Sequence, residues 1–217
     1  MVYRPTAKTE QKKEEMRQRL LAAARDLFSR QGYEATTLQQ IVKEASTSIG
    51  NCYFYFPNKE AILFAIADDL RTEIARRVDA AVEALPLGPE LIAVAIYEGT
   101  LAVIENAAVA HFALSDSTHP GLRQLTMELF ASRLRHAFAS MPELYVASNE
   151  LTVQMAALAY HGAISCVLEE IVAGRVQAEA AQAARFLTTW NLNALGFPSE
   201  IVQQSDQMLV NRNLAGH

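Results

Sequence analysis

The residues of this chain best suited to chemistry are concentrated in one short stretch, STSIGNCYFYFPNKEAI at residues 46–62. Hydroxyl groups, an amide and several aromatic rings follow one another closely there. An Asn amide can pair with an adenine edge, Ser and Thr hydroxyls can bond bases or phosphates, and apolar groups can contact thymine methyls. The same groups also suit contact with a protein partner. The stretch therefore indicates a recognition surface of one of these two kinds.

Patterns for catalysis and for metal binding do not occur elsewhere in the sequence. We find no GxSxG, P-loop or GxGxxG pattern, which disfavours an enzyme with a helical fold. Cys52 and Cys166 form neither a metal-binding spacing nor a disulfide framework, and His111, His119 and His161 are too scattered to argue for a metal. We therefore expect no metal and no cofactor. The polar N-terminus and the isolated cysteines favour a reduced, cytoplasmic protein.

The composition predicts an all-α protein of two modules. Of 217 residues, 51% are apolar, whereas Gly and Pro number only 9 and 7, a balance that favours helices over strands. Residues 1–60 hold ten Lys or Arg against seven Asp or Glu, and the remainder holds nine against seventeen, so balances of +3 and −8 give the net charge of −5. We predict a cationic domain at 1–60 and an acidic helical domain at 61–217.

Three helices are predicted in the first domain. An amphipathic stripe runs from Glu10 to Gln31, and Gly32 ends it. A second helix begins in TTLQQIVKEA, where Thr36 with Gln39 and Thr37 with Gln40 fit a capping box equally well. A third helix follows a short turn and stops at Pro57, after which Asn58 can cap a fourth. A helix, a short turn and a helix on the back of a longer helix are typical of a helix-turn-helix DNA reader.

Projection of residues 47–56 at about 100° per residue divides the third helix into two faces. The inward face is predicted to hold Ile49, Cys52, Tyr53 and Phe56. The outward face, which would meet DNA, is predicted to hold Thr47, Ser48, Gly50, Asn51, Phe54 and Tyr55. The basic N-terminal arm, Tyr3 to Lys13, suits either a solvated tail or an arm lying along phosphates or in a minor groove.

Residues 14–64 resemble the DNA-binding domain of the TetR family of bacterial transcriptional repressors. The stretches that carry this resemblance are LLAAARDLFSRQGYEATTLQQIVKEA and GNCYFYFPNKEAILFAI. They follow the family order AxxLFxxxGYxxTT, a short helix, YxYF or YxHF, a KE pair and a long helix. The chain departs from the family at Ser46, where Gly is usual, at Ile49, where a polar residue is usual, and at Cys52, where Leu or Ile is usual.

The resemblance implies which residues contact DNA. Thr37, Tyr53, Tyr55 and Lys59 are implied at the DNA backbone, and Lys59 would lie at a helix N-terminus, where phosphate binding is favourable. Gln39 occupies a position from which some members reach a base. The reading positions of the recognition helix are implied at Gly50 and Asn51.

The second domain is predicted to consist of helices only. One long helix runs from Asn58 to about Leu85, and LPLGP at 85–89 ends it and marks a hinge. Further helices are predicted at 89–106, 107–114, 120–140, 149–173, 177–195 and 198–209. The resemblance implies that this domain binds a small effector and dimerises through its last two long helices.

Dimerisation has support in the residues themselves. Apolar side chains cover nearly the whole circumference of 151–172, and small residues at Ala156, Ala159, Gly162 and Ala163 would let a second helix approach closely. A stripe on the next helix contains Leu187 and Trp190. We predict a homodimer through helices near 150–173 and 177–195. The uncharged run from 151 to 168 is marginal for crossing a bilayer, so no membrane partner is expected.

Polar side chains on otherwise apolar helices are the candidates for the effector site. The candidates are Tyr97, Glu98, His111, Met127, Met155 and His161. Glu98 is the strongest because it interrupts the apolar run LIAVAIYEGTLAVI. The surroundings favour a largely apolar effector, or a cationic amphiphile if Glu98 is ionised; alternatively Glu98 bonds a neighbouring group or faces solvent. The leading interpretation is a DNA-binding repressor that binds a palindromic operator as a dimer and is released by the effector.

Overall fold

The computed structural model describes residues 7–114 and 150–215, and all regular structure in these ranges is α-helical. The chain divides into two compact units, Met1–Asp69 and Leu70–His217. The all-α prediction is confirmed. The predicted helix at 120–140 lies outside the described residues.

The first unit contains α1 (Ala7–Gln31), α2 (Leu38–Glu44), α3 (Ile49–Tyr55) and the start of α4 (Lys59–Val82). Its core is formed by the apolar stripe of α1 together with one or two residues from each short helix. The fully buried members of this core are Leu20, Ala24, Ile41, Cys52, Ile62 and Ile66. Gly32 ends α1 with φ of +83°, and its N–H donates to the Phe28 carbonyl at 3.0 Å.

Side-chain caps define where the short helices begin. Thr37 forms the capping box with Gln40, so the second of the two predicted boxes is present. Thr36 is buried instead, and its hydroxyl donates to the Gly32 carbonyl at 2.8 Å. The Ser48 hydroxyl accepts the N–H of Asn51 at 3.1 Å at the start of α3.

The fourth helix begins with the predicted cap, because the Asn58 side-chain oxygen accepts the N–H of Ala61 at 2.7 Å. It belongs to both units, since the division between them falls between Asp69 and Leu70. The break at 85–89 therefore lies within the second unit, where it separates α4 from α5.

The second unit contains α5 (Pro89–Glu105), α6 (Ala107–Leu114), α7 (Glu150–Val172), α8 (Ala180–Ala194) and α9 (Ser199–Ala215). The central helix is α5, which packs against α6, α8 and α9, while α6 packs against α7. Two bounds of α5 to α9 differ from the predicted ones by more than one residue. The helix α8 begins three residues later than Gln177, and α9 continues past Leu209 to Ala215.

A buried pair of hydroxyl groups joins α5 to α7. The Thr100 hydroxyl and the Tyr160 phenol oxygen lie 2.7 Å apart. Both side chains are buried, and burial raises the pKa of the Tyr160 phenol well above its ordinary value although the bond to Thr100 opposes this rise. The phenol therefore remains neutral. Its hydrogen bond with Thr100 gives each of the two buried hydroxyl groups a partner.

We expect Tyr160→Phe to lower the free energy of unfolding by about 1–2 kcal/mol, because it leaves the buried Thr100 hydroxyl without its partner. Thr100→Val should have a similar cost. The double variant should lose less than the sum of the two single losses, because replacing both partners removes the unsatisfied group. Urea denaturation measures all three values. Strict additivity would show that the two hydroxyls do not interact.

Candidate functional site

The helix α3 buries only a narrow edge. Cys52 and Phe56 face the core, four residues apart, as predicted. Ile49 and Tyr53 were assigned to the same face, and this assignment is wrong, because they are 39% and 54% exposed. A helix of two turns that contacts the unit along one line has no room for a wide inward face. Tyr53 thus joins Phe54, which is 67% exposed, on the solvent side.

The polar groups at the start of α3 are held in place by local hydrogen bonds. The Asn51 side-chain amide donates to the Thr47 hydroxyl at 2.8 Å, while the Asn51 N–H donates to the Ser48 hydroxyl. The two hydroxyls and the amide are therefore ordered before any ligand arrives. A Cβ added to Gly50 would meet no atom of the chain within 4 Å, so this position is open to solvent.

The end of α3 presents an aromatic surface. Phe54 and Tyr55 pack edge to face with ring centroids 5.0 Å apart and an interplanar angle of 87°. Tyr55 is half-buried, whereas Phe54 projects into solvent. The polar start and the aromatic end together form the exposed face of α3, which we call the recognition face: Ser48, Gly50, Asn51, Tyr53, Phe54 and Tyr55.

The candidate DNA contacts outside α3 lie at the start of α2 and of α4. Thr37 caps α2, and Gln39 is exposed in its first turn. Lys59 is less available than its charge suggests. Its ammonium donates to the carbonyls of Tyr33 at 2.7 Å and Thr36 at 2.9 Å, and it lies 4.1 Å from the centroid of the Tyr33 ring.

The turn between α2 and α3 has an unusual backbone. Ser46 has φ of +50° and is the single residue other than glycine with positive φ in the described ranges. The turn is therefore left-handed at the position where the family usually has Gly. The guanidinium of Arg19, from α1, donates to the carbonyls of Ala45 and Ser46. The sequence alone does not single out Arg19, because a hydrogen-bond partner 26 residues away leaves no local signal.

The predicted effector residues differ in how deeply they are buried. Tyr97 is fully buried, His111 and His161 are half-buried, and Met155 is 61% exposed. Met127 lies outside the described residues. Of these predicted residues, Tyr97 therefore lies in the interior of the second unit, whereas Met155 lies on its surface.

Glu98 forms ion pairs within the chain. Its carboxylate accepts from Arg77 at 2.8 Å and lies 3.5 Å from the guanidinium of Arg212, and Arg77 also donates to Glu105 at 2.5 Å. The side chain of Glu98 is 13% exposed and that of Arg77 is 29% exposed. These pairs tie α5 to α4 and α9, and they supply the partner that a largely buried carboxylate needs.

Large apolar side chains are exposed on the last long helices. Leu151, Met155 and Leu158 lie along α7, and Phe186 and Trp190 lie one turn apart on α8. Leu151–Val172 is one helix of the described residues that has the length and hydropathy to cross a bilayer, and 28% of its apolar window is buried. We call these five exposed side chains the apolar face of α7 and α8; several large apolar side chains exposed on neighbouring helices are typical of an interaction surface.

Comparison with known proteins places the first unit in a family. The family model for bacterial regulatory proteins of the tetR family matches residues 20–66. The HTH-type transcriptional regulator HbdR of Aromatoleum sp. (strain CIB) is 43% identical over 70 residues, which are 30% of this chain and 31% of that protein. The matched stretch thus spans about a third of that relative.

Solved structures match nearly the whole chain at low identity. A putative TetR-family transcriptional regulator from Syntrophomonas wolfei has a TM-score of 0.69 at 15% identity, covering 86% of this chain and 98% of that one. RolR in complex with resorcinol has a TM-score of 0.62 at 17% identity, covering 91% and 95%. These likenesses show a shared fold.

The helix-turn-helix, the family match and the shared fold define a class. Residues 20–66 match the tetR family of bacterial regulatory proteins, and the fold is that of solved TetR-family regulators. The relatives named by both comparisons are transcription regulators.

We expect Glu98→Gln to lower the free energy of unfolding by about 1 kcal/mol, because it removes the charge that pairs with Arg77 and Arg212. High salt should narrow the difference from the wild type by screening the exposed part of the cluster. Glu90→Gln is the matched control, since Glu90 is exposed on the same helix. Thermal unfolding at low and high salt measures both. Equal loss in the two variants would contradict a stabilising role for Glu98.

Proposed function

We propose that this protein is a cytoplasmic transcriptional repressor that binds a palindromic operator as a homodimer and is released by a largely apolar small molecule. The observation that carries the proposal is the recognition face of α3. Its hydroxyl, amide and aromatic groups are exposed or half-buried, and local hydrogen bonds order its polar groups on a helix-turn-helix that matches the TetR family.

The recognition face has the groups needed in a DNA major groove. The Asn51 carbonyl and amide can bond base edges, and the rings of Tyr53 and Phe54 can contact thymine methyls or sugars. Open space at Gly50 permits close approach of the helix to the bases. Tyr55 at the end of α3, and Thr37 and Gln39 at the start of α2, are proposed as further contacts. The +3 balance of residues 1–60 favours phosphates.

We propose that a second copy of this chain packs against the apolar face of α7 and α8. Exposed Leu158 and Met155 adjoin exposed small residues, including Gly162, where an added Cβ would meet nothing within 4 Å. Within the part of the chain that the structure describes, no packing therefore requires glycine there, whereas a closely approaching helix would. A two-fold axis through this face would give two recognition helices for two half-sites, which explains the palindromic operator.

The effector is proposed to bind in the second unit. RolR, which shares the fold, has been solved with resorcinol, a small aromatic compound. The buried side chains of α5 are apolar apart from Thr100 and Tyr97, and the largely buried carboxylate of Glu98 on the same helix is paired with Arg77. Tyr97, His111 and His161 remain the proposed polar contacts. The carboxylate of Glu98 already has its partner in Arg77, so a neutral effector suits the site better than a cation.

We expect Asn51→Ala to weaken binding to the preferred duplex by about 1–3 kcal/mol and to relax one base position, because it removes a base-edge contact. Duplexes selected by the wild type from a random pool supply the probe, and fluorescence anisotropy supplies the affinity. Asn211→Ala, on the exposed surface of α9, is the matched control.

Salt provides the test against a protein-binding role for the same face. Binding that neutralises phosphates must weaken steeply as salt rises, with a slope of about −0.9 per phosphate on a log–log plot. If the wild type bound no duplex at low salt, the proposed function would be wrong. The recognition face would then be expected to bind a protein partner.

We expect Leu158→Glu to give a folded monomer, because the side chain is exposed in one protomer but would bring an unpaired charge into the dimer seam. Leu87→Glu is the control, since Leu87 is exposed on the loop between α4 and α5. Sedimentation velocity at micromolar concentration should show a dimer for the wild type and the control. A monomeric wild type would contradict the dimer, and binding to lipid vesicles would point to a membrane as the cover.

A further inference from the structure

The helix α2 is held at both ends by basic side chains that donate to backbone carbonyls. Before α2, Lys59 donates to the carbonyls of Tyr33 and Thr36. After α2, Arg19 donates through Nη2 to the carbonyls of Ala45 and Ser46, the latter at 3.3 Å. Hydrogen bonds from a charged donor are stronger than those between neutral groups.

The carbonyls that Arg19 contacts need such a donor. The last carbonyls of a helix lack N–H partners within the helix, and they carry the negative end of its dipole. Ala45 is the C-cap of α2, and Ser46 follows it in the left-handed conformation. Because a residue with a Cβ is strained in that conformation, the turn into α3 is not stabilised by its own backbone preference.

The position of Arg19 is fixed by its neighbours. Leu20 and Leu21 follow it on α1 and are almost completely buried. The guanidinium therefore reaches the turn from a rigid base, across 26 and 27 residues of sequence. The residue as a whole is exposed, so from charge alone it resembles a phosphate contact.

We propose that Arg19 is a positioning residue for DNA recognition, whose guanidinium holds the strained Ser46 turn and thereby fixes the direction in which α3 leaves α2. This inference rests on the proposed DNA-binding function. In this proposal the guanidinium of Arg19 binds the carbonyls of the turn and does not bind a phosphate. Arg19 then affects DNA binding by orienting α3.

A positioning residue and a phosphate contact differ in two measurable ways. Loss of a phosphate contact weakens binding to all sequences alike and reduces the salt slope by about one. Loss of a positioning residue leaves the number of phosphate contacts unchanged but misplaces the base contacts. It therefore lowers the ratio of specific to non-specific affinity and leaves the salt slope as it was.

The test compares Arg19→Gln, Arg19→Lys and the charge-matched control Arg25→Gln, which changes an exposed residue on the same helix. The probes are the duplexes that the wild type selects from a random pool and a random duplex, each titrated over a range of salt. We expect Arg19→Gln to lose about tenfold in specific affinity with little change on the random duplex or in salt slope. Equal loss on both probes with a slope reduced by about one would overturn the proposal.

Ser46→Gly provides the second arm, because glycine adopts positive φ without strain and should hold the turn without help. We expect Arg19→Gln with Ser46→Gly to recover part of the lost specificity. Failure to recover any would show that the turn is not what Arg19 holds. Arg19→Lys keeps the charge and keeps the protein testable if Arg19→Gln does not fold.

The contact of Arg19 with the carbonyls of Ala45 and Ser46, which we call the clamp, can be tested separately from the proposed function by measuring unfolding without DNA. In a double-mutant cycle, the two substitutions should cost less together than the sum of their separate effects. If the wild type bound no duplex, the role in DNA recognition would fail while the cycle still reported on the clamp. Additive effects in the cycle would overturn the clamp whatever the protein binds.

Discussion

The structure of the DNA-binding unit depends on one constraint, which is that α2 and α3 have only seven residues each and cannot be stable as isolated helices. Such helices gain stability from a few buried side chains and from hydrogen bonds at their ends. Leu20, Ile41 and Cys52 supply the burial. The end groups supply the rest, because each short helix has four N–H and four carbonyl groups without helical partners.

The ends of α2 and the start of α3 are accordingly satisfied by side chains. Thr37 and Gln40 bond each other's backbone at the start of α2, and Ser48 caps α3. Lys59 and Arg19 bring donors from α4 and α1 to the turns on either side of α2. The same hydrogen bonds that stabilise the helices also order the groups that face a ligand. Stability and recognition are therefore coupled in this unit, and few substitutions can alter one alone.

The helices and their caps could be predicted from the sequence because their signals are local. Periodicity gave the element order, and the capping box was found, although the choice between Thr36 and Thr37 required the structure. The faces of α3 were harder, since a projection assumes that half the circumference is buried. Tyr53 is exposed to solvent because a two-turn helix that contacts the rest of the unit along a single line buries only Cys52 and Phe56. The pairing of Glu98 with Arg77 was invisible because the two residues meet only in the folded unit.

The two units differ in how closely they follow their relatives, and the physical reason lies in the kind of interaction that stabilises each. In the first unit, caps and turns require particular side chains, and the family model matches residues 20–66 within it. In the second unit, α5 needs only apolar residues of suitable volume. A fold match that covers 86% of the chain, and so extends into this unit, survives at 15% identity over the whole alignment. Substitutions that preserve such a core still change the shape and polarity of any cavity inside it. The fold of the second unit is therefore shared with the relatives, whereas the ligand must be determined from the residues of this chain.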